Sequence, residues 1–237
     1  MGKGKIRALL LTAVVLALML GCGIYVSDYY RAEEIMLTMS DSVSVEVAED
    51  RTVFKPETAA AGLIFYPGGK VEYTAYAPLM AKLAEQNVLC VLLKMPLNLA
   101  VLDMDAAAGV REQFPEVEHW YLAGHSLGGS MAASFAGNHA HDYEGIILLA
   151  AYSTEDLSES GLKVCSLYGD RDGVLNREKY IQYRSNLPED TLERVLEGGN
   201  HAGFGCYGPQ EGDGVSALDP GVQLQWTADT ILEFIKD

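Results

Sequence analysis

A serine flanked by glycines is the first feature of the sequence that could do chemistry. Residues 124–129 read Gly-His-Ser-Leu-Gly-Gly and fit the pattern G-x-S-x-G, directly after an apolar run at 119–123 and directly before a helix-like segment. Small residues are needed at such a strand-to-helix reversal, because a Cβ there would clash with the adjoining backbone. We therefore predict that Ser126 is a nucleophile. The alternative is a glycine-rich helix start without a catalytic role.

A serine nucleophile needs two partners, because its hydroxyl is too weakly acidic to attack a carbonyl unaided. The first is a general base, and we expect it to be His201, the histidine that follows the last predicted strand, in the glycine-rich loop 198–205. The second is an acid that orients the base. It is expected just past the predicted strand 163–168, where both Asp170 and Asp172 are candidates.

The elements that must position these residues alternate between buried-strand and helical character, which is typical of parallel β-α units. Near-continuous apolar runs such as 88–93 and 146–150 predict strands that helices cover on both faces. The predicted fold class is therefore α/β, with a mostly parallel central sheet preceded by an edge hairpin near 42–54. The predicted strands are 62–66, 88–93, 119–123, 145–150, 163–168 and 192–196, and the predicted helices are 74–86, 100–114, 128–139, 177–185 and 222–235.

A second motif follows the first of these strands, where residues 67–71 read Pro-Gly-Gly-Lys-Val. With the serine motif and the chain order Ser, Asp, His, it resembles the α/β-hydrolase superfamily, specifically its compact single-domain, dienelactone-hydrolase-like group of membrane-anchored bacterial type. The resemblance covers about 60–237, including 94–100 and 198–202. It implies an α/β-hydrolase fold and an acyl-enzyme on Ser126. Its G-x-x-D-G turn favours Asp172 as the acid and leaves Asp170 to a hydrogen bond within the turn.

Such a site also needs backbone donors for the oxyanion that develops during attack. The amide of Leu127, the residue after the nucleophile, is expected to be one donor. The second is expected in the loop after Tyr66, at Gly69 or Lys70. The sequence does not decide between Gly69 and Lys70, because Pro-Gly replaces the family's histidine-glycine dipeptide at 67–68.

The N-terminus predicts a membrane anchor. Lys3, Lys5 and Arg7 precede 19 uncharged residues, 8–26, and a helix of that length spans the roughly 30 Å hydrocarbon core of a bilayer. Basic residues before the run predict a cytoplasmic N-terminus and an extracytoplasmic catalytic domain. The alternatives are a lipoprotein signal acylated at Cys22 and a fully secreted product. The predicted domains are 1–27, the anchor; 28–55, a polar linker and the edge hairpin; and 56–237, the catalytic domain.

Composition excludes several classes of function. A net charge of -16 is unsuited to nucleic acid, which requires a basic surface. The four cysteines show no CxxC spacing, and the acidic run 211–214 lacks the spacing of a calcium loop, so we expect neither a metal nor another cofactor. The oligomeric state is left open by the sequence.

The substrate is expected to meet an open site. Only about ten residues, 153–162, lie where many such hydrolases insert a helical cap. Pocket walls are expected from 70–76, 96–100, Tyr152 and 204–214, and the acidic segments nearby favour neutral or cationic esters. The predicted function is a serine hydrolase of a small-molecule carboxylic ester or thioester. The alternatives are lactone, dienelactone or amide hydrolysis or another acyl transfer by the same triad, and a non-catalytic, membrane-tethered binding protein.

Overall fold

The computed structural model describes residues 2–34, 40 and 42–236. Within this part of the chain, eight strands form one sheet. They are β1 (Val43–Val47), β2 (Arg51–Pro56), β3 (Ala61–Tyr66), β4 (Val88–Leu93), β5 (Trp120–His125), β6 (Gly145–Leu149), β7 (Lys163–Gly169) and β8 (Leu192–Leu196). Their spatial order is β1-β2-β4-β3-β5-β6-β7-β8. The β1–β2 and β2–β4 pairs are antiparallel and the other pairs are parallel.

Helices cover both faces of this sheet, as the apolar runs predict. Helices α2 (Ala77–Ala84) and α5 (Pro220–Lys236) pack on one face and α3 (Leu127–His139) on the other, while the short α4 (Arg177–Gln182) follows β7. Every residue of β3 and β4 is buried. Because parallel strands end at the same edge of a sheet, the loops after β3, β5 and β7 meet there. The predicted α/β-hydrolase fold is confirmed.

The predicted edge hairpin is formed by β1 and β2, and it belongs to the main sheet. Phe54 of β2 pairs with Cys90 of β4 and is almost fully buried. The hairpin therefore extends the parallel sheet by two antiparallel strands and contributes to the same core.

The helix predicted at 100–114 is wrong. Two single 3-10 turns, Ala100–Leu102 and Arg111–Gln113, flank a series of tight turns there, and Gly109 between them has a φ of +71°. The buried Tyr66 hydroxyl donates to the carbonyl of Met104 at 2.8 Å and accepts from the amide of Ala107 at 3.2 Å. A side chain from β3 thus uses backbone groups that a continuous helix would need for its own hydrogen bonds.

The N-terminal helix α1 (Lys3–Ser27) stands apart from the core. Its window Leu10–Ser27 has a mean hydropathy of 2.2, and none of that window is buried. Of the described residues, this helix alone is long and apolar enough to cross a membrane, and a signal sequence near an N-terminus has the same properties.

Candidate functional site

Ser126 occupies the tight turn between β5 and α3. Its φ of 52° and ψ of -123° are unusual for a residue with a side chain, and such strain is typical of a nucleophile held at a strand-to-helix reversal. A Cβ on Gly124 would lie 2.6 Å from the carbonyl carbon of Gly128, and one on Gly128 would lie 2.2 Å from the carbonyl oxygen of Pro67. The glycines of the motif are therefore required by the close packing of backbone on backbone.

The structure brings His201 and Asp172 together. The Nδ1 atom of His201 lies 2.9 Å from Oδ2 of Asp172, and both side chains are almost completely buried. The other carboxylate oxygen of Asp172 accepts from the amides of Val174 and Leu175 at 2.9 and 2.8 Å. These contacts fix the carboxylate, so that it holds a proton on Nδ1 of the imidazole and leaves Nε2 to accept one.

The imidazole lies next to the serine turn. The ring of His125, the residue before Ser126, is centred 4.5 Å from the ring of His201. In the described part of the chain, Nε2 of His201 has no hydrogen-bond partner. Within that same part no hydrogen bond joins the two side chains of Ser126 and His201, as is common in such pairs before substrate binds. The nucleophile, base and acid predicted from the sequence therefore lie at one edge of the sheet.

Asp170 has a different place. Its Oδ1 atom accepts from the amide of Gly198 at 2.7 Å, so this carboxylate holds the beginning of the loop that carries His201. The expectation that Asp170 bonds within its own turn is wrong, because its partner lies 28 residues further along the chain. Only Asp172 of the two candidate acids contacts the imidazole.

Of the two residues predicted as the second oxyanion donor, Gly69 and Lys70, the structure leaves only Gly69 with an unoccupied amide among the described residues. The amide of Lys70 donates to the carbonyl of Asn98 at 2.8 Å and is therefore occupied. The amide of Gly69 donates no hydrogen bond within the described residues. A Cβ on Gly69 would lie 2.8 Å from Cδ2 of Leu127, so the loop passes directly beside the first residue of α3. The free amides of Gly69 and Leu127 can therefore face one oxyanion.

His125 supports this loop although it fills the variable position of the serine motif. Its Nδ1 atom lies 2.8 Å from the hydroxyl of Tyr76, which accepts a hydrogen bond from the amide of Gly68 at 3.1 Å. The tyrosine therefore donates its own proton to Nδ1. Burial, and secondarily the nearby His201, lower the pKa of His125 well below its ordinary value. His125 is consequently a neutral side chain that packs on the base without adding charge.

Asp213 is a residue of the site that the sequence reasoning missed. Its Oδ1 atom accepts from the amides of Gly173, His201 and Gly214 at 3.1, 3.2 and 2.8 Å, and its Oδ2 atom accepts from the amide of Ala202 at 2.9 Å. One carboxylate thus joins the turn of the acid to the loop of the base. From the sequence alone, the run 211–214 predicted only an acidic loop and gave no contact for Asp213.

We predict that Asp213→Asn slows the chemistry without preventing folding. The amide places an NH2 group where one oxygen accepted, so at least one backbone donor loses its partner. A small displacement of the base can cost about 10²-fold in rate, so kcat/KM for a soluble ester should fall by about that factor with little change in KM. The exposed neighbour Glu211 provides the control Glu211→Gln. Equal kcat/KM in the two variants would contradict a positioning role for Asp213.

A cavity of about 230 Å³ adjoins Ser126. It lies between the serine turn and the segment that follows the acid, and it is mostly apolar. Of the predicted pocket walls, only Tyr152 lines this cavity, whereas 70–76, 96–100 and 204–214 do not. Residues of 204–214 instead line a second cavity of about 400 Å³, beside the loop that carries His201. The residues that line the cavity beside Ser126 are Ser126, Leu127, Ser130, Ala150, Ala151, Tyr152, Val174, Leu175 and Asn176.

No group of three or more His, Cys, Asp or Glu residues in the described part of the chain is arranged to hold a metal ion. Two of the cysteines, Cys90 and Cys165, lie buried in strands, where burial raises the pKa of both thiols, for Cys165 to about 12. These thiols are therefore packing residues of the core.

Comparison with known proteins adds a family and a set of similar folds. Residues 62–225 match the model of the alpha/beta hydrolase family. A "predicted CIB-like hydrolase" from Thermoplasma acidophilum has a TM-score of 0.57 at 15% identity, over 82% of this chain and 99% of that chain. Est1E from Butyrivibrio proteoclasticus has a TM-score of 0.57 at 13% identity, over 83% of this chain and 100% of that chain. MGS-MChE2, an alpha/beta hydrolase enzyme from a lagoon-sediment metagenome, has a TM-score of 0.58 at 14% identity, over 80% of this chain and 98% of that chain.

Identities this low show a shared fold and nothing finer. A search of the curated proteins gives no match.

Proposed function

This chain belongs to the alpha/beta hydrolase family, and from that premise we propose that it cleaves a carboxylic ester or thioester through an acyl-enzyme on Ser126. The contact that carries the proposal is the one between Nδ1 of His201 and Oδ2 of Asp172, 2.9 Å long and buried. A buried, oriented imidazole beside a strained serine is the arrangement that activates a hydroxyl for acyl transfer.

The first half of the reaction acylates the serine. The Oγ atom of Ser126 attacks the carbonyl carbon of the ester while Nε2 of His201 takes the hydroxyl proton. Asp172 stabilises the imidazolium that forms and does not itself take up a proton. The negative charge on the former carbonyl oxygen is stabilised by the amides of Leu127 and Gly69. The bond to the leaving group then breaks, and the imidazolium gives its proton to the departing alcohol or thiol.

The second half releases the acid. Water attacks the acyl carbon and passes a proton to Nε2 of His201, so that a second tetrahedral intermediate forms in the same oxyanion site. Its collapse breaks the bond to Ser126, whose oxygen recovers the proton from the imidazolium. The products are a carboxylic acid and a free alcohol or thiol, and the enzyme returns to its starting state.

The cavity beside Ser126 favours a small acyl group. Its volume of about 230 Å³ is below the roughly 300–1,000 Å³ of pockets that enclose drug-sized ligands. Ala150, Ala151 and Leu175 give it an apolar lining, which suits a short alkyl chain better than a charged one. The net charge of -16 adds a general repulsion of anionic substrates.

For the N-terminus we propose a membrane anchor with the catalytic domain on the outer side. The support is the uncharged window Leu10–Ser27, with a mean hydropathy of 2.2 and no buried residue, together with the basic residues that precede it. A helix of this length spans about the thickness of the hydrocarbon core of a bilayer.

The test of the proposed function is covalent labelling of the full chain with a fluorophosphonate, followed by mass spectrometry of the labelled peptide. An activated nucleophile reacts stoichiometrically, so we expect one label, on Ser126. Ser130 provides a matched control, since it lines the same cavity but donates its hydroxyl proton to the carbonyl of Tyr152 at 2.8 Å. Ser126→Ala should abolish labelling and Ser130→Ala should preserve it. A folded wild-type chain that takes up no label would overturn the proposal.

A further inference from the structure

The segment that follows α1 is attached directly to the catalytic face. Tyr30 forms a parallel bridge with Val71, in which its amide donates to the carbonyl of Lys70 and its carbonyl accepts from the amide of Glu72, both at 2.8 Å. The helix ends at Ser27, only three residues before this bridge. At full extension three residues span at most about 11 Å. The end of the anchor therefore lies within about that distance of the oxyanion loop 68–71.

Further contacts hold the same segment in place. The amide of Ala32 donates to the carboxylate of Glu72 at 3.0 Å, and the amide of Glu33 donates to the carbonyl of Cys206 at 2.9 Å. The hydroxyl of Tyr30 accepts from the amide of Glu211 at 3.0 Å. The segment thus bridges the oxyanion loop and the loop after His201, and it cannot act as a flexible spacer between anchor and site.

An exposed apolar surface lies beside the same loop. Leu97, Val101, Leu102 and Met104 are 55%, 50%, 54% and 43% exposed, and we call these four side chains the apolar patch. They follow the carboxyl end of β4, where the carbonyl of Asn98 accepts from the amide of Lys70 at 2.8 Å.

The anchor and the apolar patch therefore flank one short loop of the candidate active site. Leu97 has a φ of 53°, a conformation that residues other than glycine rarely adopt, so this exposed leucine is held at a conformational cost. A surface of this kind is typical of proteins that contact a partner or a membrane.

We propose that the apolar patch rests on the outer leaflet of the membrane, so that the opening of the active site faces the lipid. The substrate of the protein is then an ester of an amphiphile that lies in that leaflet. The inference rests on the proposed function and names its substrate class. The small acyl group enters the cavity beside Ser126, while the long apolar remainder stays in the bilayer. Exposed Asp103 and Asp105 adjoin the patch, so the lipid surface it fits is zwitterionic or neutral rather than anionic.

Two esters with the same reacting group test this substrate class. One is 4-methylumbelliferyl butyrate, which is soluble in water, and the other is 4-heptadecylumbelliferyl butyrate, which is held in phosphatidylcholine vesicles. The full chain is reconstituted into such vesicles, and both rates are measured for the wild type and for the double variant Leu97→Ser with Leu102→Ser. The control is Ile181→Ser, which removes an equally large side chain that is 71% exposed on α4, outside the patch.

We expect the patch variant to hydrolyse the vesicle-bound ester about tenfold more slowly than the wild type, because two apolar contacts with the leaflet are lost. Its rate on the soluble ester should stay within about twofold of the wild type, and Ile181→Ser should be unchanged on both. Equal rates of all three proteins on the vesicle-bound ester would overturn the membrane-facing orientation. If the wild type hydrolyses neither ester, the failure lies with the proposed function.

A second measurement reads the orientation without catalysis. A nitrobenzoxadiazole dye is attached to Leu97→Cys, or to Ile181→Cys, in reconstituted full chain whose Ser126 and exposed Cys22 are both replaced by alanine, so that the dye does not label Cys22. We expect lipids with a nitroxide near the headgroup to quench the dye at position 97 strongly and the dye at position 181 weakly. Equal quenching at the two positions would overturn the proposal even if both esters were hydrolysed.

Discussion

Ser126→Ala is expected to lower kcat for a soluble butyrate ester by about 10⁶-fold, because removal of the nucleophile of a serine hydrolase removes nearly all catalysis by the triad. A residual rate about 10³- to 10⁴-fold above that of water should persist, since the oxyanion donors Leu127 and Gly69 are backbone groups that the substitution leaves in place. The measurement is a progress curve at high enzyme concentration with the wild type diluted in parallel.

Ser126→Gly separates this loss of chemistry from a loss of structure. Glycine adopts a φ of 52° without steric cost, so the variant should be as inactive as Ser126→Ala but at least as resistant to thermal unfolding as the wild type. Strain that is stored at a functional residue is released when the residue is replaced in this way. Either variant retaining more than about 1% of the wild-type kcat would exclude Ser126 as the nucleophile.

The parts of the site that could be predicted from sequence depend on local backbone geometry. Gly124 is required within a single turn, because a Cβ there would meet the backbone of Gly128 and Gly129. The acid and the base could be placed because each follows a predicted strand, 163–168 or 192–196, and parallel strands end at one edge of the sheet. Chain order and strand ends indicated His201 and the turn that holds the acid, and the resemblance to the G-x-x-D-G turn favoured Asp172 within that turn.

The parts that were missed depend on contacts between distant segments. Asp213 accepts from the amide of Gly173, which lies 40 residues earlier in the chain, and no local pattern reports such a bond. The false helix at 100–114 has the same origin, because the hydroxyl of Tyr66 holds its backbone in turns. The position of the cavity depends on how the segment after Asp172 packs against α3. In each case tertiary contacts override local propensity.

Asp172→Asn should lower kcat by about 10⁴-fold, a loss typical of a triad whose acid becomes an amide. In the wild type, the amides of Val174 and Leu175 both donate to Oδ1. The carbonyl oxygen of asparagine must therefore occupy that position, which turns its NH2 group toward Nδ1 of His201. Facing a donor, Nδ1 becomes the acceptor and the proton moves to Nε2, which can no longer take the proton of Ser126.

Asp170→Asn is the matched control, since it makes the same chemical change two residues away. Its carbonyl oxygen can still accept from the amide of Gly198, the contact that Asp170 makes at 2.7 Å, so kcat should fall by less than about tenfold. Parallel kcat measurements on the two variants, each checked for an unchanged near-ultraviolet circular dichroism spectrum, distinguish the two acids. A larger loss in Asp170→Asn than in Asp172→Asn would reverse the assignment. We expect the larger loss of kcat in Asp172→Asn because, of the two aspartates, only Asp172 contacts the imidazole of His201. The other oxygen of the Asp172 carboxylate is already fixed by two backbone amides.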